Sequence, residues 1–128
     1  MNWRILAIII ILALGILDLS LTYLYVAKYK KWQPEKPYKL IELNPLLVFL
    51  WNNLGLIFGT LVGGAIILSL QYIIAKGAHW FIVLLLFCVL IFLMFNHYKN
   101  ITLLNQLIIK YPSGHLPVET FGNVIGNN

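Results

Sequence analysis

Ile5–Tyr29 reads ILAIIIILALGILDLSLTYLYVAKY, and its single acid, Asp18, decides how the chain is understood. At about 1.5 Å rise per residue the stretch is long enough to cross a bilayer as one helix. A carboxylate inside such a span costs about 3 kcal/mol or more unless it is paired, protonated or wet. The rest of the chain must therefore supply something to meet it. At about 100° per residue, Ile11, Gly15, Asp18, Thr22, Tyr25 and Tyr29 share one face. Thr22 lies one turn beyond Asp18, which places its hydroxyl near the carboxyl or near the group that pairs with it. Ser20 points elsewhere and is expected to bond back to its own helix. Two roles for Asp18 stay open: a hydrogen-bonding anchor to a neighbouring span, or a functional group. A secretory signal would have a similar apolar core. Here no small-x-small cleavage site precedes the lysines, and the run continues past Asp18, so an uncleaved span is expected.

The whole chain follows the same composition. Of its 128 residues 61% are hydrophobic and only 10% charged. No long segment supplies the polar surface a soluble domain of this size requires. The expected fold is an all-α integral membrane protein with three transmembrane helices, a single multi-pass domain of the cell membrane over residues 1–128. The net charge of +5 does not point to nucleic acid, because Lys28, Lys30, Lys31, Lys36 and Lys39 crowd one loop between apolar spans. That pattern marks a cytoplasmic loop in contact with anionic headgroups, and it sets the N-terminus outside and the C-terminus in the cytoplasm. Cys88 stands alone in an apolar run, which excludes a disulfide framework and predicts a buried structural thiol.

Within the basic loop, residues 30–44, Pro34 and Pro37 break any helix, and Trp32 and Tyr38 suit the headgroup level. Asn44-Pro45 then opens a second span, with Asn as N-cap and Pro at the first helical position. Glu42 sits just before that cap, near the positive end of the helix dipole. The apolar pattern predicts one tilted span over 45–75. Gly55, Gly59 and Gly63 recur at every fourth position, with Gly64 beside them, a stripe that admits another helix at close range. The first span, the third span, a partner membrane subunit or a second copy in a homo-oligomer could fill it. Asn52 falls on nearly the same face as the glycines.

Lys76-Gly77-Ala78 is a very short turn, so the second and third spans are expected to be antiparallel neighbours. The third span, 79–109, is apolar to Phe95 and then turns polar at Asn96, His97 and Asn100. One long helix with that polar group facing protein is favoured over a soluble extension, because Leu103, Leu104, Leu107, Ile108 and Ile109 still need burial. Asn100-Ile101-Thr102 matches a glycosylation acceptor, but the expected topology makes it a chance match. From 110 to 128 the chain reads as an irregular cytoplasmic tail marked by Pro112, Gly114, Pro117, Gly122 and Gly126. Trp3, Tyr72 and Trp80 would lie at the outer interface, and Tyr29, Trp32 and Tyr111 at the inner one.

This topology gathers polar groups on one side. Asp18 is roughly 16 Å inside Tyr29, Asn52 roughly 12 Å inside Asn44, and Asn96 and His97 roughly 18–20 Å inside Ile109. Asp18, Thr22, Glu42, Asn44, Asn52, Asn96, His97 and Asn100 are therefore the candidate site, a polar pocket open to the cytoplasm, while Lys76 and His79 belong to the opposite end.

Asp18-x-x-x-Thr22 late in the first span, followed by Glu42-x-Asn44-Pro45 at the second, resembles a family of uncharacterised prokaryotic small membrane proteins. Asn100 matches a polar position near the end of that family's last span. The long Lys-rich loop departs from its pattern. The resemblance implies that these acids and amides belong to one site, and it implies no activity.

Three kinds of function follow as expectations. The first is ion or small-ligand binding, as in a transporter component, with Asp18 as the protonatable or cation-binding group. The second is a scaffold or subunit packed through Gly55, Gly59 and Gly63. The third is an intramembrane enzyme in which Asp18, Glu42 and His97 act as acid, base or metal ligands, although their spacing is no metal signature. A pore-forming lysis protein also suits the size. No phosphate loop, zinc-protease helix or nucleophile motif occurs, and no cofactor is expected.

Overall fold

The structure, a computed structural model, describes residues 2–116. Pro117, Gly122 and Gly126 of the expected tail lie outside the described residues. Helix α1 spans Trp3–Trp32, α2 Pro45–Leu54, α3 Leu56–Gly77 and α4 Trp80–Lys110. Three of these, α1, α3 and α4, are long and apolar enough to cross a membrane.

Local chemistry explains the boundaries. Asn2 caps α1 by accepting the Arg4 N–H at 3.0 Å. Asn44 caps α2 by accepting from the Leu46 N–H at 3.0 Å, with Pro45 at the first helical position. His79 opens α4, and the helix runs without a break through Asn96, His97 and Asn100. The single long helix favoured for 79–109 is thus what forms.

The second span is corrected. Residues 45–75 do not make one helix, because the chain breaks at Gly55, whose φ of +82° and ψ of 171° fall where only glycine is comfortable. Gly55 N–H closes α2 on the Trp51 carbonyl, and its own carbonyl accepts the Gly59 N–H that starts α3. The apolar composition is uniform across this break, so hydropathy alone could not reveal it.

Directions follow from which residues meet. Asp18 and Thr22 face His97, Lys28 faces Asn105, and Trp32 bonds the Tyr111 carbonyl, so α1 and α4 are parallel. Gly15 lies against Leu68 and Gln71, and Leu19 against Gly64, so α3 is antiparallel to α1. Leu50 and Trp51 lie against Gly59, and Leu47 against Gly63, so α2 doubles back on α3 as a hairpin and runs the same way as α1. The chain must then return along the bundle after α1 ends. Tyr38 packs against Trp51, the two rings tilted and 5.4 Å apart between centroids, and Ile41 packs into the Val26, Leu47 and Trp51 cluster. Residues 33–54 form a re-entrant segment, and Asn44 sits in the middle of the bundle rather than at its end.

Helix α1 is the hub, packed along both α3 and α4. Although α3 and α4 are joined by a short turn, they make scarcely any contact, so the expected neighbouring pair diverges. One apolar cluster, Ile11, Ala75, Val83 and Leu90, fills the end where α1 begins, and Val26, Leu47 and Trp51 fill the other. Outward faces remain apolar: only 11% of the most apolar stretch of α4 is buried within the protein. Cys88 is on that outward face, which corrects the expectation of a buried thiol.

Candidate functional site

Between the two apolar clusters lies a cavity of about 540 Å³. Its floor is α1, with Asp18, Thr22 and Tyr25; the re-entrant segment supplies Glu42 and Asn44. Gln71 of α3 and Asn96, His97 and Asn100 of α4 complete its polar lining. Seven of the eight residues proposed from sequence therefore line one space. Asn52 does not: it is exposed near the far end of α2. Its placement on a deep face assumed that α2 continued into α3. Because the hairpin doubles back, Asn44 is the deep end and Asn52 the shallow one.

The centre of the site is His97. Its Nε2 is 3.2 Å from Asp18 Oδ1 and 3.2 Å from Thr22 Oγ1. The Thr22 hydroxyl donates its hydrogen to the Asp18 backbone carbonyl at 2.9 Å, so toward the imidazole its oxygen acts as acceptor. The Thr22 oxygen as acceptor, with the Asp18 carboxylate beside it, favours a hydrogen on Nε2. The Asp18 and His97 side chains are 17% and 14% exposed, enclosed but reachable from the cavity. Asp18 Oδ1 is close enough to Nε2 for an ion pair yet meets no hydrogen-bond geometry.

Around this pair the other groups are held by their own chain. Glu42 Oε1 accepts the Asn44 backbone N–H at 3.1 Å, so the start of α2 carries its own acid beside its cap. Ser20 donates to the Ile16 carbonyl at 2.7 Å, the local bond expected of it, and does not face the cavity.

Gln71 was missed. It is buried, its Oε1 has no hydrogen-bond partner, and a Cβ on Gly15 would collide with that oxygen. The signal existed: Gln71 is the one amide in the apolar run from Leu56 to Ala75, and the argument applied to Asp18 applies to it. Gly15 is the complementary feature on α1, where the absent side chain makes room for the amide.

The glycines have a different role from a docking stripe. Gly59 would place a Cβ 2.9 Å from the Leu50 carbonyl carbon, and Gly63 one 2.7 Å from Leu47 Cδ2, so both receive α2 of the same chain. Gly55 is the break itself and packs on nothing within 4 Å.

A hydroxyl nucleophile needs an imidazole with one nitrogen toward the hydroxyl and the other toward the acid. Here both Thr22 and Asp18 address Nε2, so no relay exists. Among the described residues no three His, Cys, Asp or Glu side chains converge on one ion position. The chain matches no family model, no curated protein and no solved structure.

Proposed function

We propose that this chain is a multi-pass protein of the cell membrane, N-terminus outside and C-terminus cytoplasmic, whose cavity binds a small ligand or ion as part of a transport process. The observation that carries the reading is the Asp18–His97 pair at 3.2 Å inside a polar cavity bounded by apolar helices. An acid and an imidazole in such a place exchange charge state with little rearrangement, which is what coupling to a proton or cation requires. The re-entrant segment adds a helix that begins at mid-bundle, the kind of element that forms sites at membrane depth where it lines a cavity.

Orientation rests on the lysines. Lys31 and Lys39 are exposed beside the end of α1, while Lys30 and Lys36 bond within the loop: Lys30 Nζ donates to the Pro34 carbonyl at 3.0 Å, and Lys36 Nζ to the Tyr29 hydroxyl at 2.9 Å. The exposed pair suits anionic headgroups of the inner leaflet. Single-cysteine variants carrying Cys88→Ser test this. A membrane-impermeant maleimide should label Asn2→Cys on intact cells and Lys39→Cys only after permeabilisation.

A scaffold that docked a partner helix on Gly59 and Gly63 would first have to displace α2 from them. The transport reading needs no such rearrangement. Its test is reconstitution in proteoliposomes. Asp18→Asn should abolish proton- or cation-coupled flux while the protein remains folded, and flux unchanged by that substitution would overturn the reading.

A further inference from the structure

Among the described residues, two buried side-chain polar atoms lack a hydrogen-bond partner: Asp18 Oδ1 and Gln71 Oε1. Both are acceptors, and both residues line the same cavity from different helices. Buried acceptors are ordinarily satisfied; both oxygens are closed off in this conformation, Asp18 Oδ1 beside His97 Nε2 at 3.2 Å and Gln71 Oε1 against Gly15, and the complement their side chains lack is a group carrying several hydrogen-bond donors.

Charge narrows the class. The lining holds the carboxylates of Asp18 and Glu42, one imidazole, and no lysine or arginine. An anion would be drawn to His97, already beside the Asp18 carboxylate, or to the start of α2, where the Leu46 N–H is bonded to the Asn44 side chain and the Asn44 N–H to Glu42. The cavity favours positive charge.

Shape and wall chemistry narrow it further. About 540 Å³ is far more than a bare ion needs and falls within the range of small-molecule pockets. Next to the polar groups the wall is hydrocarbon, with Leu86, Val89, Leu90 and Leu93 continuing the same face of α4 and Ile67 on α3. Among the described residues no three His, Cys, Asp or Glu side chains offer a transition-metal ion a shell.

We infer that the ligand is a primary ammonium ion on an apolar body, its N–H groups donating to the Asp18 carboxylate and the Gln71 amide oxygen once these side chains turn toward the cavity, and its hydrocarbon lying against the Leu86–Leu93 stretch of α4. This rests on the ligand-binding reading above and specifies its substrate class. Gln71 becomes a binding residue, and Gly15 a positioning residue that leaves room for its amide.

Phenylbutylammonium, its trimethylated quaternary analogue, phenylbutanoate and potassium ion form the test series, measured by calorimetry on purified protein in nanodiscs. Saturable binding of phenylbutylammonium is expected, with the quaternary analogue and the carboxylate each at least about tenfold weaker and potassium not competing. Asp18→Asn and Gln71→Leu should each weaken the amine at least about tenfold, whereas Asn52→Ala should leave it unchanged. Equal binding of the quaternary analogue or of phenylbutanoate overturns the inference, as does binding indifferent to both cavity substitutions. The ligand series on the unaltered protein decides the matter even if a variant does not fold. If Asp18→Asn abolishes inorganic cation or proton flux while phenylbutylammonium does not bind, this inference fails and the broader reading stands. If neither flux nor amine binding depends on Asp18, both fail.

Discussion

The α2–α3 hairpin and the α1–α4 seam are built on opposite terms. In the hairpin, backbone meets side chain with no room to spare: Gly59 lies under Leu50 and Trp51, and Gly63 under Leu47. Its one polar contact, Trp51 Nε1 to Thr60 Oγ1 at 3.0 Å, is secondary to that fit. Along the α1–α4 seam the helices instead leave a cavity, and what joins them there is the chemistry of Asp18, Thr22 and His97. The hairpin should tolerate changes of polarity but not of volume, and the seam changes of volume but not of polarity. The first region fixes where the start of α2 stands, and the second uses it.

Volume added to the hairpin gives the largest expected effect. Gly59→Leu meets the Leu50 backbone at its first carbon, so side-chain movement cannot relieve it. The loss should exceed the roughly 1–3 kcal/mol usual for overpacking, seen as a collapse of the melting temperature in detergent. Gly64→Ala is the matched control. Its new carbon would meet only Leu19 Cδ1, at 3.3 Å, which can rotate away, and the cost should stay below about 1 kcal/mol. Equal losses from the two would mean that the hairpin is not the tight element described.

Polarity removed from the seam comes next. Thr22→Val keeps the shape and deletes one acceptor of the His97 Nε2 hydrogen. The expected cost is about 1 kcal/mol, with loss of coupled flux well beyond what that stability change explains. In the hairpin, Trp51→Phe deletes its bond to Thr60 and should also cost about 1 kcal/mol, yet leave flux intact because Trp51 does not line the cavity. Similar stability losses with different functional outcomes are the signature of the two seams.

How much of this was legible in sequence depends on the kind of signal. Apolar length and segregated charge gave the three long helices, and the lone acid Asp18 led to His97, because a carboxylate in hydrocarbon demands a partner. The glycine spacing was visible, but not its target: a four-residue period says that something packs closely and nothing about what. The break at Gly55 was hidden, since a glycine within an apolar run reads equally as a packing contact or a hinge. Only its φ of +82° distinguishes them. That single angle reversed α2, carried Asn44 inward and moved Asn52 out. Gln71 went unread for another reason. An amide alarms less than an acid does, yet its carbonyl oxygen, too, needs a donor when buried.

The two asparagines of the hairpin give the smallest effect and the most direct check on the direction of α2. If 45–75 were one helix, Asn52 would sit deep in the polar site and Asn44 at its rim. In the hairpin the order is reversed. Asn52→Ala should therefore change neither stability, within about 0.5 kcal/mol, nor flux. Asn44→Ala removes the acceptor of the Leu46 N–H and should cost about 1 kcal/mol, while taking one amide out of the cavity wall and leaving the Glu42 bond to the backbone N–H in place. Melting curves and flux for the two variants suffice. A loss of flux in Asn52→Ala, with none in Asn44→Ala, would restore the continuous second span and remove the re-entrant wall from the site.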